Sequence, residues 1–583
     1  MTAKENRTPL SATGAQRRYS TFVPPPVLLW LGLACAVFAA GTLSFSYDPI
    51  PGVDNVAAIA LVVLAWLGLV AWAGRNPDLA LASDALAQRS TSFAQAHQGW
   101  LRAALVLGVG LATWLSGWLV LDHFANSADE YALLFQAETY GHGRLVNPAP
   151  PARELFEVQF TVVRDGHWVG MYPPGLALVY AALAALGLPI WLLGPILAAL
   201  GAWLILAICD ELELPPTFGL LVTALSCLNG FYLFTAASYL SHHATLTASL
   251  GFVLCALRAQ RTLRPRDALL AGVALGVVGV MRHPEAVLIA LPYVVASLIS
   301  RDLLAAGKRL LLIAVGGLPF LIGLLAYYHQ VTGDPFLPTM LWRDPNDTLR
   351  FFAEDPERHS ARWGVLATVA RLVQWSEWLA QPFLLAWALA MAVLAWQGRL
   401  RFFDLYLPIL VVAYFFYWGL GWNQYGPRYY HLGLPFAVLT LVRALVILWP
   451  RFEARARAVA AAGVATFLLA PLIGLPVWAL EVRREIHDRQ AVYRAVERQG
   501  LDRAIVLIAD STGIEYEMTP IELIRNGVSL DGPVLYARGD IEGAAERLAR
   551  AFPERALWRY TRPDPSSDGR LEQLDVRRGA SGS

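Results

Sequence analysis

The sequence predicts an all-α polytopic membrane protein of about 13 transmembrane helices, with a small α/β domain outside the cytoplasm near its C-terminal end. Three observations predict it. Apolar and aromatic residues (AVILMFWYC) make up 56% of the 583 residues, charged residues only 16%, and the mean hydropathy is +0.46. An average soluble domain is roughly 25% charged, so a soluble fold could not hide this much apolar surface. The hydrophobicity comes in blocks of the length that crosses a bilayer, about 20 residues. After residue 481 the charges return and the apolar runs shorten.

The blocks lie near 26–46, 55–74, 100–121, 189–209, 217–235, 241–258, 309–329, 379–397, 403–420, 431–449 and 457–480. The run 268–300 is long enough for two spans, broken at Arg282-His283-Pro284-Glu285. Arginine clusters at 258–266, 301–309, 399–401 and 451–457, with the basic N-terminus, mark the cytoplasmic side. The outer loops are then 122–172, the turn at Ser241-His242-His243, the 282–285 break, 330–378, 421–430 and everything beyond 481. Parity makes 173–187, which opens on Pro173-Pro174, a partial or re-entrant segment. The first block follows Lys4, Arg7, Arg17 and Arg18 and is too long for the apolar core of a signal peptide, so no cleavable signal is expected.

The expected organisation is a cytoplasmic segment 1–25, an extra hairpin and cytoplasmic loop 26–99, a transmembrane core 100–480, an outer α/β domain 481–563 and a flexible tail 564–583. Strand-like runs at 505–508, 534–536 and 557–560 and a helix-like run at 541–552 define the outer domain. Cys35, Cys209, Cys227 and Cys255 all fall in apolar stretches, which argues against a disulfide framework or a cysteine metal site. A net charge of +1 gives no field for nucleic acid. No phosphate-binding Walker loop, nucleotide-binding glycine turn or HExxH metalloprotease motif occurs.

The unusual polar residues gather on the outer side. In the first outer loop, Asp129, Gln136 and Tyr140 share one helical face, with Tyr131, Leu134 and Phe135 opposite. This pattern fits a helix along the membrane surface with a carboxylate facing a cavity, or a solvated helix whose acids cap its N-terminus; Glu138 falls on the apolar side. The Arg282–Glu285 break faces either a cavity or, as an interfacial turn, the headgroups. His242 and His243 point to different faces and cannot readily share a metal. In Gly426-Pro427-Arg428-Tyr429, an arginine among tyrosines suits a phosphate oxygen or an aromatic belt. Arg343, Asp344, Asp347, Arg350, Asp355 and Glu357 read as balanced, solvated surface.

Three stretches carry a family resemblance: Asp129-Glu130-Tyr131 with Gln136-Ala137-Glu138-Thr139 and Gly141-His142-Gly143-Arg144-Leu145; Tyr172-Pro173-Pro174-Gly175; and Gly426-Pro427-Arg428-Tyr429. In these the chain resembles the GT-C superfamily of membrane glycosyltransferases, in the branch of protein O-mannosyltransferases and aminoarabinose transferases. The resemblance implies an enzyme of the cytoplasmic membrane that moves a sugar, with inversion, from a polyprenyl-phosphate donor to an acceptor hydroxyl on the outer face. It implies Asp129 as base, with Glu130 as second choice. Arg428 and then Arg282 would bind the donor phosphate, with His242 and Tyr429 adding hydrogen bonds. Gln136, Tyr140, His142, Tyr172, His243 and His283 would line the substrate cavity. The partners implied are the lipid-linked donor, a glycan, lipid or protein acceptor and membrane lipids. No metal or other cofactor is favoured. A secondary transporter or lipid flippase shares the apolar blocks, as does a membrane-anchored scaffold.

Overall fold

A computed structural model describes residues 63–575 apart from 65, 69, 70, 74, 76, 346, 350–359, 381, 420, 424, 510–520 and 564–566. The expected segment 1–25, the first block and most of the second, Cys35, and the acids and arginine at 350–357 therefore lie outside the described residues. Helix α1 (Pro77–Ala96) occupies what reads in sequence as a cytoplasmic loop, and α2 (Gln98–Leu119) is the first described helix long and apolar enough to cross a membrane.

The loop 122–172 holds α3 (Ala128–Gly141), then strands β1 (Asn147–Pro148), β2 (Thr161–Arg164) and β3 (His167–Gly170) in an antiparallel sheet of order β1-β3-β2. Ser127 caps α3 by accepting from the Glu130 N–H, and Glu130 turns back onto the Ser127 hydroxyl and the Asn126 N–H. This pairing of serine with a glutamate three residues on satisfies donors that a helix start otherwise leaves open. The loop closes at Tyr172, after which α4 (Gly175–Ala185) is a short apolar helix where a partial segment is expected.

The bundle continues through α5 (Leu193–Glu211), α6 (Pro216–Cys227), α7 (Gly230–Ala237), α8 (Ser241–Thr262), α9 (Pro265–Met281), α10 (His283–Leu298) and α11 (Leu303–Thr332). The block 217–235 is two helices bent by 63° at Asn229, whose side chain caps the second by accepting from the Tyr232 N–H. Arg282 separates α9 from α10 with an extended backbone (φ −152°, ψ 87°), because Pro284 cannot donate back into α9. After α12 (Thr339–Arg343) come α13 (Ala361–Leu379), α14 (Phe383–Trp396), α15 (Tyr406–Phe415), α16 (Leu434–Leu448) and the 36-residue α17 (Ala454–Arg489). Against an expectation of about 13 spans, five helices among the described residues are long and apolar enough to cross a membrane, or up to seven if each bent pair is one span. Proline, glycine and asparagine break several of the remaining blocks into shorter helices.

Two expectations need correction. The second outer loop, 330–378, is not a solvated loop throughout. Helix α13 fills its second half and buries Trp375 and Arg371 completely, and Asp347 is only 5% exposed. Asp347 accepts from the Tyr417 hydroxyl (2.6 Å) and the Trp418 indole N–H (3.2 Å), and burial pushes its carboxyl above the usual range. The boundary at 480/481 falls inside α17. That helix persists into its charged end through pairs such as Glu485 with Arg489, one turn apart at 2.9 Å.

Beyond α18 (Ala491–Gln499), strands β6 (Ala504–Ile508), β7 (Val534–Arg538), β8 (Ala556–Thr561) and β9 (Arg570–Gln573) form a sheet of order β7-β6-β8-β9, with α19 (Ala544–Ala551) before β8. The first three strands are parallel and β9 is antiparallel on the edge. Strand β9 lies in the stretch expected to be a flexible tail. Asp568 anchors its approach on Arg494 and Arg498, an ion cluster that no local hydrophobic pattern announces.

Candidate active site

The late loop folds as a tight hairpin in which β4 (Trp422–Asn423) pairs with β5 (Gly426–Pro427). Gly421 and Gly426 both adopt positive φ, +68° and +99°, which permits the turn at little steric cost. A 3₁₀ turn at Arg428–Gly433 follows, and the Arg428 N–H donates to the Gly421 carbonyl at 2.9 Å. This hairpin delivers Arg428 to α3. Its Nη1 lies 2.9 Å from Oδ2 of Asp129, residues 299 apart in sequence. The Tyr172 hydroxyl donates to the other oxygen of the same carboxylate. Burial and the adjacent Asp129 charge push the Tyr172 phenol well above its usual range, so it remains a proton donor. The Asp129 and Arg428 side chains are 14% and 11% exposed, which sets the carboxylate out of bulk water.

A second charged group stands at the break between α9 and α10. Arg282 Nε bonds to Oε1 of Glu285, the Tyr414 hydroxyl donates to that oxygen at 2.6 Å, and Arg282 Nη2 reaches the Tyr414 hydroxyl at 3.3 Å. The two groups are joined through aromatic rings. Tyr414 stacks on Tyr429 with centroids 4.4 Å apart and planes 3° from parallel, and the Arg428 guanidinium lies 5.7 Å from the Tyr429 centroid. His242 is within electrostatic reach of both Arg282 and Arg428, and its ring is 6.4 Å from that of Tyr429. Several buried polar atoms of these residues have no hydrogen-bond partner among the described residues: Nε of Arg428, both ring nitrogens of His242 and Oε2 of Glu285. Buried polar atoms are seldom left in this way unless a ligand, ion or water completes them.

The structure brings together Asp129, Tyr172, Arg428, Tyr429, Arg282 and His242. Gln136 joins them at one remove, donating to the Tyr172 carbonyl (2.8 Å), the Tyr327 hydroxyl (3.2 Å) and the Tyr140 hydroxyl (3.3 Å). His283 follows Arg282 and meets the Tyr328 hydroxyl at 3.5 Å. Three expected positions are corrected. Glu130 has no exposed surface; its Oε1 accepts from the Tyr239 N–H and its Oε2 from Asn126 and Ser127, so both oxygens are engaged in tying α3 to the segment before α8. Burial pushes its carboxyl up to about 7. His142 is exposed at the end of α3, bonded to the Glu138 carbonyl. His243 turns inward, 3.3 Å from Nε2 of His431 and edge-on to Tyr232, because adjacent residues on a helix point about 100° apart.

Sequence reasoning missed Glu285, Tyr414 and Arg371 as contributors. Arg371, in α13, donates to the Tyr414 carbonyl at 2.7 Å and to the Gly419 carbonyl, filling the open acceptors at the end of α15. A lone arginine inside the apolar run 364–373 is the sequence signal that could have found it. Glu285 lies inside the quoted Arg282–Glu285 break, but spacing alone cannot pair it with a tyrosine 129 positions away. Among the described residues no three His, Cys, Asp or Glu side chains gather as a metal-ligand set.

Residues 504–583 match a family described as a domain of unknown function, DUF7846. No curated protein matches the chain. Among solved structures it is similar to ArnT from Cupriavidus metallidurans bound to undecaprenyl phosphate, at 15% identity and TM-score 0.47 over 79% of this chain and 93% of that one. The apo state of that protein aligns at 13% identity and TM-score 0.48, over 80% and 93%. An Archaeoglobus fulgidus oligosaccharyltransferase, tethered to an acceptor peptide, aligns at 11% identity and TM-score 0.43, over 65% of this chain and 56% of that one.

Proposed function

We propose that this chain is an inverting membrane glycosyltransferase that takes a sugar from a polyprenyl-phosphate donor and passes it to an acceptor hydroxyl. The observation that carries this reading is the pairing of Asp129 from the first loop with Arg428 from the late hairpin. It sets a shielded carboxylate beside a cation that has unused donors, and a second arginine, Arg282, shares the His242 neighbourhood.

The resting ion pair gives the site its order of events. When the donor phosphate arrives, it offers Arg428 an anionic partner that its planar fork can grip with two hydrogen bonds. Arg428 exchanges the carboxylate for the phosphate, and Asp129 is freed to accept the proton of the acceptor hydroxyl. The acceptor oxygen attacks the anomeric carbon opposite the phosphate. The new carbon–oxygen bond forms as the sugar–phosphate bond breaks, and its electron pair leaves on the polyprenyl phosphate. Attack from the opposite face inverts the centre, as in inverting hydrolases. Arg428 and Arg282, with hydrogen bonds from His242 and Tyr429, hold the departing charge in a site largely closed to water. Tyr172 keeps the Asp129 carboxylate oriented through the exchange.

Asp129→Asn tests the reading. The amide preserves shape but cannot take a proton, so sugar transfer from a polyprenyl-phosphate donor in detergent is expected to fall about 10²–10⁴-fold. Unchanged transfer would rule the assignment out. Accumulation of substrate in proteoliposomes with no covalent product would identify a transporter instead.

A further inference from the structure

Helix α3 has two faces that do different things. Asp129 meets Tyr172 and Arg428, and Gln136 reaches the Tyr172 carbonyl and the Tyr140 hydroxyl. Tyr131 and Glu138, seven residues apart and so on one line of the helix, turn the other way, onto the C-terminal domain. The Tyr131 side chain is 3% exposed, and its hydroxyl donates to the Asn526 carbonyl at 3.3 Å. Glu138 Oε1 accepts from the Val528 N–H at 3.2 Å. A Cβ at the intervening Gly527 would sit 3.0 Å from that same oxygen, a tight contact that a slight shift of the Glu138 side chain would relieve.

The loop that meets α3 is itself pinned to the sheet. The Asn526 amide donates to the Tyr536 carbonyl at 2.6 Å and accepts from the Tyr536 N–H at 2.9 Å. One side chain thereby stands in for a strand partner at β7, and Asn526 is buried. The chain of contacts runs without a gap from β7 through Asn526 to Tyr131, two residues from Asp129. On its near side α3 packs against α4 and β3, and Glu130 ties its start to Tyr239. Its far face is held by the loop that precedes β7 of the C-terminal sheet.

We propose that the C-terminal domain is a brace for α3, and that Tyr131 and Asn526 are positioning residues that set the Asp129 carboxylate through it. The proposal rests on the reading of Asp129 as the base. It assigns the domain matched at residues 504–583 a role within this chain. Small displacements of a reacting group cost about 10²-fold in rate per ångström, so loosening the brace acts on turnover more than on donor binding, which Arg428 and Arg282 govern from other elements.

The experiment compares the full-length protein in detergent with its Asn526→Asp and Tyr131→Phe variants. Asn526→Asp replaces the donor to the Tyr536 carbonyl by a repelling oxygen; Tyr131→Phe removes one hydroxyl. Hydrogen exchange of the 128–141 amides is expected to quicken about tenfold in Asn526→Asp and less in Tyr131→Phe. With the polyprenyl-phosphate sugar that supports wild-type turnover, kcat is expected to fall about tenfold and about threefold respectively, with the donor KM unchanged. Unaltered exchange in α3, or a loosened α3 with full kcat, overturns the brace. If Asn526→Asp leaves the domain unfolded, Tyr131→Phe decides by the same two readouts. Exchange in α3 reports the brace whatever Asp129 does, whereas full activity of Asp129→Asn would overturn only the base assignment.

Discussion

Arg428 and Glu130 show how neighbouring charges take different work. Arg428 keeps a buried Nε with no partner among the described residues while Nη1 holds Asp129, so its fork has capacity left for an anion. Arg428→Lys keeps the charge and loses the planar fork. The expected outcome is a rise in donor KM of about tenfold, the equivalent of one lost hydrogen bond, with a smaller change in kcat; steady-state kinetics against donor concentration checks it. Glu130 has both oxygens engaged and a folded-state pKa of about 7, above the ordinary 4.5 because burial penalises its charge. The folded protein therefore holds this proton more tightly than the unfolded chain. The stability it contributes is fully present below about pH 4.5, declines as pH rises towards 7 and is flat above, a span of about 3 kcal/mol. Melting temperatures between pH 5 and 7.5 should fall in the wild type and fall less in Glu130→Gln.

Among the elements, the hairpin before α16 is the most constrained. Tyr429 is stacked on Tyr414 on one side, and a Cβ on Gly421 would come within 2.0 Å of its ring. Gly421→Ala meets both that clash and a positive φ, so the ring, and with it Arg428, must shift. Destabilisation of about 1–3 kcal/mol is expected, together with weaker donor binding, read by thermal shift and donor KM. The break at Arg282 behaves differently. Its geometry follows from Pro284, and its contacts with Glu285 and Tyr414 hold the guanidinium on the side of Tyr429. The site is thus built where helices stop: the start of α3, the α9–α10 break and the 3₁₀ turn before α16. Chain ends of this kind leave backbone groups and side chains free to face a substrate.

Across the molecule, the arginine clusters and the shared site bear on orientation. Residues from 129, 172, 282 and 428 converge, so they occupy one side of the bundle together with the C-terminal domain that grips α3. We propose that this side is the exterior. Reporters fused after Arg428 and after Leu501 are expected to read extracytoplasmic; a cytoplasmic signal from either would place the site on the wrong side for a lipid-linked donor. Helix α19 of the C-terminal domain also covers the first loop through Phe552, just past its end, against Phe156 and Arg547 against Glu154, so the domain is bound to the core and not merely appended.

Much of this was legible in the chain. Apolar blocks, the Pro284 break, the Gly-Pro hairpin and the three strand runs are local signals, since helix length, proline chemistry and period-two or apolar runs act within a few residues. The face of Asp129, Gln136 and Tyr140 was legible for the same reason. What was not legible depends on contacts between distant segments. Glu138 looked misplaced on the helical wheel until the C-terminal loop supplied its partner at Val528. Glu130 stood as second choice to Asp129 until the Tyr239 N–H closed its second oxygen. Strand β9 looked like tail because its order comes from Asp568 and two arginines of α18, not from its own composition. Periodicity says which face a side chain takes; only packing in three dimensions says what that face meets, because the free energy of a buried charge is set by partners that sequence distance does not limit.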